Sequence, residues 1–462
     1  MRNYFPSDNA SPYFAESEID GRVAMQIIAR AMERDAMSTL SRRSFLSLAA
    51  VVPILSGWRR RISSSDDAFL EDLSSRAFLF FWQHSDPHTG LVLDRVRANG
   101  DNIGGRNLEV ASTAVTGFAL TAMCIASDRR WMDPNRLRER VRATLRHFVY
   151  HQDHVRGWYY HFVNRNNGER VWASELSTID TALLLAGVLT AQQYYRDDDE
   201  IFELASSIYN RVDFNWMLDK QTGLLHMGWR PETGLLRAEW ASYDEQAILY
   251  LLGIASPIYP IPVKSWYRFD RPGIETHGYK FVGRGPLFTH QYSQAWLYLA
   301  NVRDGPPFEI DYFKNSIAAT YAHRAHCLGL RGMYPNYSEN LWGITASDSD
   351  IGYVIWGEPL SRTDVDGTVV PCASGGSLMF APEICLPALR YMHEQFAQYV
   401  YGRYGFVDAF NPQTLWADPD VVGINLGITL LSAENLRSGS VWRWFNRSTD
   451  VQRATEQVFQ QY

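Results

Sequence analysis

From Asp66 to the C-terminus one pattern dominates this chain. Apolar residues return at helical spacing, and sustained two-residue alternation is almost absent. Phe69, Leu73, Ala77 and Phe80 recur this way, as do Val115, Phe118, Ala119 and Ala122. Further helices are expected at 134–152, 178–196, 199–216, 243–254, 289–301, 309–327, 382–401 and 425–437, with short strands only in connections such as 224–229. A row of helices shorter than about 20 residues can bury its apolar faces as a toroid or as a solenoid. No fixed sequence repeat is present, which disfavours the solenoid. The connections at 157–174, 219–242, 256–288 and 328–381 are long and rich in Trp, Tyr, Gly, Asp and Asn, while 197–199 is very short. Long loops on one side of a rigid scaffold usually build a site. No linker splits residues 66–462, which are expected to form one all-α domain behind a leader, 1–65.

Charge narrows the partners. Net charge is −7, but the leader carries nine Arg against six acids, so the body is close to −10. An acidic body argues against nucleic acid and anionic membranes and suits a neutral ligand. Aromatics reach 14%, with 15 Trp and 25 Tyr; such rings stack on sugars, but they also fill helical cores. The four cysteines (Cys124, Cys327, Cys372, Cys385) make no CxxC or metal-ligand spacing, so free buried thiols are expected. The 12 His contain no HExxH pattern. No cofactor and no required metal are expected. Phosphate-cradling loops, a GxSxG elbow and a dinucleotide fingerprint are missing from the sequence.

The leader contains SRRSFLSLAAVVPIL (41–55). Arg42 and Arg43 followed by an apolar run too short to span a bilayer match a twin-arginine export signal. The expected partner is the twin-arginine export machinery, and the expected location periplasmic or secreted. Met37 is a candidate start, and the cut would fall near 56–65; an uncleaved anchor is the alternative.

Two apolar helices begin with carboxylates. SELSTIDTALLLAG (174–187) carries Glu175 and Asp180, and ASYDEQAILYLLGIASP (241–257) carries Asp244 and Glu245. Acids from two different helices are what cleavage of a sugar bond requires. The structural alternative is capping. Ser177 with Asp180, and Ser242 with Glu245, stand at capping-box spacing. Glu175 escapes that explanation because it precedes the cap. Trp342, with Asp348 and Asp350 beyond it in WGITASDSDIGY (342–353), offers a stacking face and acceptors for hydroxyls; its bland reading is a polar loop. A buried Asp408 in YGFVDAFN (404–411) needs partners. Asp94 and Arg95 in GLVLDR (90–95) read first as an ion pair.

Taken in order, these segments resemble the bacterial glycoamylase-like domain of endo-β-1,2-glucanases and cyclic β-1,2-glucan synthases. The matching stretches are FLFFWQHSDPHTGLVLDR (78–95), STAVTGFALTA (112–122), GWYYHFVN (157–164) and ELSTIDTALLLAG (175–187). They continue with YNRVDFNWM (209–217), YDEQAILYLLGIASP (243–257), PLFTHQYSQAW (286–296) and DYFKNS (311–316). WGITASD (342–348), DGTVVPCASGGSLMFAPE (366–383), YGFVDAFN (404–411) and AENLRSG (433–439) complete the set. Any one of these is weak; twelve in order are specific. The resemblance implies an (α/α)6 toroid barrel with a cleft at one end, and anomer-inverting hydrolysis of β-1,2-linked glucan. It points to Glu245 as general acid and Glu175 as general base, with Asp180 nearby. Asp94, Arg95, Trp229, Trp240, Tyr243, Trp342, Asp348 and Asp408 are the candidates for holding glucose units. Glycosyl transfer or end-trimming on the same fold, and non-catalytic glucan binding, are the alternatives. Two departures stand out. Asn425-Leu426 replaces the family's usual Asp-Gln, and Cys372 stands where a small residue is common. The first removes a charge and an amide near the cleft, and bears on linkage and chain-length preference.

Overall fold

The computed structural model describes residues 62–358, 360 and 365–461. The paired arginines of the leader lie outside this set. Among the described residues, twelve helices build the scaffold: α1 (Ser64–His84), α2 (Thr113–Arg129), α3 (Pro134–Tyr150), α4 (Thr178–Tyr194), α5 (Asp199–Asn210), α6 (Ala247–Ala255), α7 (Phe288–Trp296), α8 (Tyr312–Gly329), α9 (Pro371–Gly375), α10 (Pro382–Val400), α11 (Gly423–Arg437) and α12 (Thr449–Val458).

Their composition sorts them into two layers. All nine residues of α6 are buried, as is α4 from Thr178 to Gln193 and α2 from Thr113 to Ser127. A helix buried on every side needs helices around it. By contrast α3 buries only Leu137, Val141, Thr144, Leu145, His147 and Phe148, and α12 only Val451, Ala454 and Val458. The inner ring runs α2, α4, α6, α7, α11, with α9 against α11, and α11 packs back onto α2. Outside it, α1 covers α2 and α11, α3 lies on α2 and α5, α5 on α4, α12 on α6, α8 on α7 and α10 on α9. The fold is an α/α barrel.

Two inner helices touch backbone to backbone. A Cβ added at Gly187 would meet the Gly117 carbonyl oxygen at 2.0 Å, and one at Gly117 would meet the Leu183 carbonyl oxygen at 2.3 Å. Only glycine allows α2 and α4 this approach.

Short strands collar the N-terminal ends of the inner helices. Val110–Ser112 pairs with Phe162–Asn164 and leads into α2. Leu176–Ser177 pairs with Gly228–Arg230, which pairs with Gly234–Leu235, and leads into α4. Arg95–Arg97 pairs with Asp420–Val422, which leads into α11.

Several boundaries differ from the periodicity. The helix expected over 199–216 stops at Asn210, and Asp213 caps a new turn, Phe214–Met217, by accepting the Trp216 N–H at 3.0 Å. Asp311 likewise starts α8 at Tyr312. α6 begins at Ala247 instead of 243, and α7 ends at Trp296. α9, α12 and the short helix Ser440–Phe445 lack a long enough apolar run to be read from sequence. The four cysteines are free and buried. Among the described residues no helix is long and apolar enough to cross a membrane.

Candidate active site

At the start of α4, Ser177 is the N-cap and accepts the Asp180 N–H at 3.2 Å. The Asp180 carboxylate does not close a capping box, because the Ser177 N–H is taken by the Tyr159 carbonyl. Instead it receives the Ser177 hydroxyl and faces Nε2 of His161 at 3.4 Å. The other ring nitrogen of His161 lies 3.1 Å from Oε1 of Glu175, whose Oε2 is 3.3 Å from Arg230. His161 therefore joins the two expected acids. Burial works against its charge, but Asp180 and Glu175 outweigh burial and push it up to about 9. The hydrogen bond from His161 holds Glu175 down at about 2, while burial pushes Asp180 up.

Glu245 has the opposite environment. The expected capping box at 242–245 does not form: α6 starts after Gln246, and the Ser242 carbonyl receives the Gln246 side chain at 2.8 Å. The Glu245 main chain is fixed by the Asp244 carboxylate at 2.8 Å and by the Ser293 hydroxyl at 2.5 Å. Its half-buried carboxyl accepts no hydrogen bond among the described residues. Burial raises it well above the ordinary carboxylate range, and the charges of Asp244 and Asp180 add to this. Burial also pushes Asp244 up, to about 6.

A second set of acids surrounds Arg95. Its guanidinium bonds Asp94 at 3.1 Å and Asp348 at 2.5 Å. The ion pair expected within GLVLDR forms, and Asp348 joins it. The Asp348 N–H donates to Oδ2 of Asp408 at 2.9 Å, and Asn425 donates to Oδ1 at 2.6 Å. Asn425, the departure from the family pattern, thus serves as an uncharged partner of a buried carboxylate. It also accepts from Tyr292 at 3.4 Å. Tyr292 precedes Ser293, the residue bonded to Glu245, so one turn of α7 ties both acids together. Burial raises Asp408 to about 6 and Asp418 to about 7. Carboxylate oxygens of Asp348, Asp408 and Asp418 lie within 4.8 Å of one another, as do ligand atoms of Asp219, His226 and Glu239. Arg95 already offsets the first group, and backbone groups engage Asp219 and His226 of the second.

Three of the expected aromatic subsites are buried in this structure. Trp342 is fully buried, Trp240 is buried with its N–H on Thr178 at 3.0 Å, and Tyr243 packs on Tyr312 at 4.9 Å. None of the three offers a ring face to a ligand; they fill the core, as large apolar rings do. Trp229 is half-buried against Trp216, with its strand opposite Leu176 beside Glu175. Asp350 is exposed. Sequence reasoning missed His161 and Arg230. His161 directly precedes the strand Phe162–Asn164 and Arg230 ends the strand Gly228–Arg230, and no spacing in the sequence ties residue 161 or 230 to 175.

Several known proteins resemble this chain in sequence and fold. Residues 237–449 match the Glycoamylase family model, described as "Putative glucoamylase". The exo β-1,2-glucooligosaccharide sophorohydrolase (non-reducing end) of Parabacteroides distasonis is 25% identical over 432 residues, covering 85% of this chain. The chain spans 58% of that relative's length. The endo-β-1,2-glucanase of Chitinophaga pinensis, solved with sophorotriose and glucose, superposes with a TM-score of 0.80 at 24% identity, over 87% of this chain and 99% of its own. A Bacteroides fragilis structure described as a glucoamylase gives 0.79 at 28% identity, over 87% and 100%. These relatives share the α/α barrel.

Proposed function

We propose that this chain, which carries a glycoamylase-like domain over residues 237–449, is a glycoside hydrolase that cleaves β-1,2-linked glucan at internal bonds with inversion at the anomeric carbon. The observation that carries the proposal is the Glu245 carboxyl. It is half-buried and receives no hydrogen bond among the described residues, and burial beside Asp244 and Asp180 favours its protonated form. A carboxyl whose surroundings favour the neutral form is suited to hand a proton to a leaving oxygen. The names of the relatives supply the linkage.

In this reading Glu245 protonates the glycosidic oxygen, directly or through a substrate hydroxyl, as the bond from that oxygen to the anomeric carbon breaks. Water attacks the carbon from the opposite face and gives its proton to a carboxylate. Inverting enzymes keep the two carboxyls roughly 6.5–9.5 Å apart to admit that water. Glu175 is the base that the family resemblance implies. Its pKa near 2 makes it a poor proton acceptor, however, and suits it to fixing charge beside His161 and Arg230. Asp408, raised to about 6 and linked to the Glu245 main chain through Asn425, Tyr292 and Ser293, has the better basicity. End-trimming is the second reading, favoured by the exo-acting relative.

Incubating the protein with linear β-1,2-glucan and resolving the products tests the proposal. A spread of oligosaccharides supports internal cleavage; one short product supports end-trimming; no products from any β-glucan sinks both. Arg42-Arg43 and the apolar run after them support export before the enzyme meets its glucan. Loss of export on Arg42→Lys/Arg43→Lys substitution tests that part.

A further inference from the structure

The loop that delivers Glu175 into the cleft has an unusual backbone. Trp172 and Ala173 both adopt left-handed φ, at +56° and +50°. Consecutive non-glycine residues in this region are strained and persist only where the surroundings hold them. Here Arg170 holds them, with its guanidinium on the Ala173 carbonyl at 2.7 Å, the Ser174 carbonyl at 2.5 Å and Glu232 at 2.6 Å. What this corner presents is an indole. Trp172 is 46% exposed, whereas eleven of the twelve largest fully buried side chains are Trp or Tyr — burying a tryptophan is something this fold does readily. The ring edge is pinned by its N–H on the Arg106 carbonyl at 3.0 Å. Phe162 meets the indole tilted by 60°, with ring centroids 5.0 Å apart, and is itself stacked on His161 at 3.8 Å. Ring contacts thus run from the exposed indole to the histidine that holds Glu175 and Asp180.

We propose that Trp172 is a stacking platform for a pyranose ring of the glucan, at the rim of the cleft on the Glu175 side. An indole fixed at its edge, held by a tilted ring contact and open to solvent offers a flat apolar surface to the C–H face of a sugar, with little conformational entropy left to lose on binding. The proposal rests on the reading of this cleft as a glucan site.

Calorimetric titration of the Glu245→Gln protein, which binds without turnover, tests it. The ligands are β-1,2-glucooligosaccharides from the disaccharide upward, with β-1,3 and β-1,4 series alongside. Trp172→Gly and Trp172→Phe are introduced into the same background. Glycine adopts φ +56° freely, so Trp172→Gly relieves the backbone while removing the ring and keeps the melting temperature. The expected result is about a tenfold weaker Kd for Trp172→Gly on oligosaccharides that reach the rim, largely restored by Trp172→Phe. Unchanged affinity across the series overturns the platform. So does a loss that Trp172→Phe fails to restore, or a parent that binds none of the sugars. Wild-type turnover on the same sugars separates the two ideas: Trp172-dependent binding without hydrolysis keeps the platform and removes the hydrolase reading.

Discussion

Nδ1 of His161 stands 3.1 Å from Oε1 of Glu175, and this contact decides what Glu175 can do. A carboxylate held against a charged imidazole stays ionised across the working pH range. Folding raises His161 from 6.5 to about 9, so its contribution is whole below about 6.5 and fades as pH climbs toward 9. Folding lowers Glu175 from 4.5 to about 2, so its contribution is whole above about 4.5 and fades as pH falls toward 2. The difference in melting temperature between wild type and His161→Gln should therefore be greatest between these limits and shrink on both sides. At its maximum the substitution should cost about 2 kcal/mol, less than for a fully buried pair. A difference that does not vary with pH would refute the assignment.

Glu245→Gln should separate catalysis from stability. Glutamine cannot supply a proton, so kcat should fall by about 10³-fold or more. Burial penalises the charged form of Glu245, so the native state binds the proton more tightly than the unfolded chain, and stability is lost as pH rises above the ordinary glutamate range. The amide escapes that penalty. The variant should melt at or above the wild-type temperature at pH 7 in a calorimetric scan.

Asp408→Asn and Glu175→Gln distinguish the two bases. If Asp408 accepts the proton from water, Asp408→Asn should lose about 10²- to 10⁴-fold in kcat and recover part of it with added azide, which needs no base. Glu175→Gln should lose activity by misplacing His161, and azide should not restore it. Rescue of Glu175→Gln alone would return the role to Glu175.

The close contact between α2 and α4 predicts a stability effect far from the chemistry. Alanine at Gly187 would set a methyl 2.0 Å from the Gly117 carbonyl oxygen, which is backbone and cannot swing aside. The helices must part, at a cost of about 3 kcal/mol or more. Denaturant unfolding of Gly187→Ala measures it, and an unchanged midpoint would count against the packing described.

Much of this was legible in the sequence, and the gaps have physical reasons. The apolar spacing of α1, α2 and α4 marks helices because one period persists for several turns. α9 escaped because five residues cannot show a period, and the start of α6 was misplaced because Gln246, not Ser242, ends up at the cap. Glu175, Asp180 and Glu245 were found as acids at helix starts, where backbone geometry exposes side chains. The burial of Trp240, Tyr243 and Trp342 was not legible, because burial is a property of the assembled ring and an isolated aromatic residue carries no mark of it. His161 was missed for a related reason: its partners lie 14 and 19 positions along the chain, joined to it only after Val110–Ser112 has paired with Phe162–Asn164 and the bridge between Tyr160 and Leu176 has formed.

The pairing of Arg95–Arg97 with Asp420–Val422 has a kinetic meaning. It joins segments more than three hundred positions apart, at the place where α11 closes on α2. Closing so long a loop is slow, because its entropy is spent before any contact rewards it. Arg95, Asp348 and Asp408 are brought together across this long separation, whereas His161, Glu175 and Asp180 lie within twenty positions of one another. The expected consequence is that the two acid clusters assemble separately, the one around His161 from local pairings and the one around Arg95 only through this distant one.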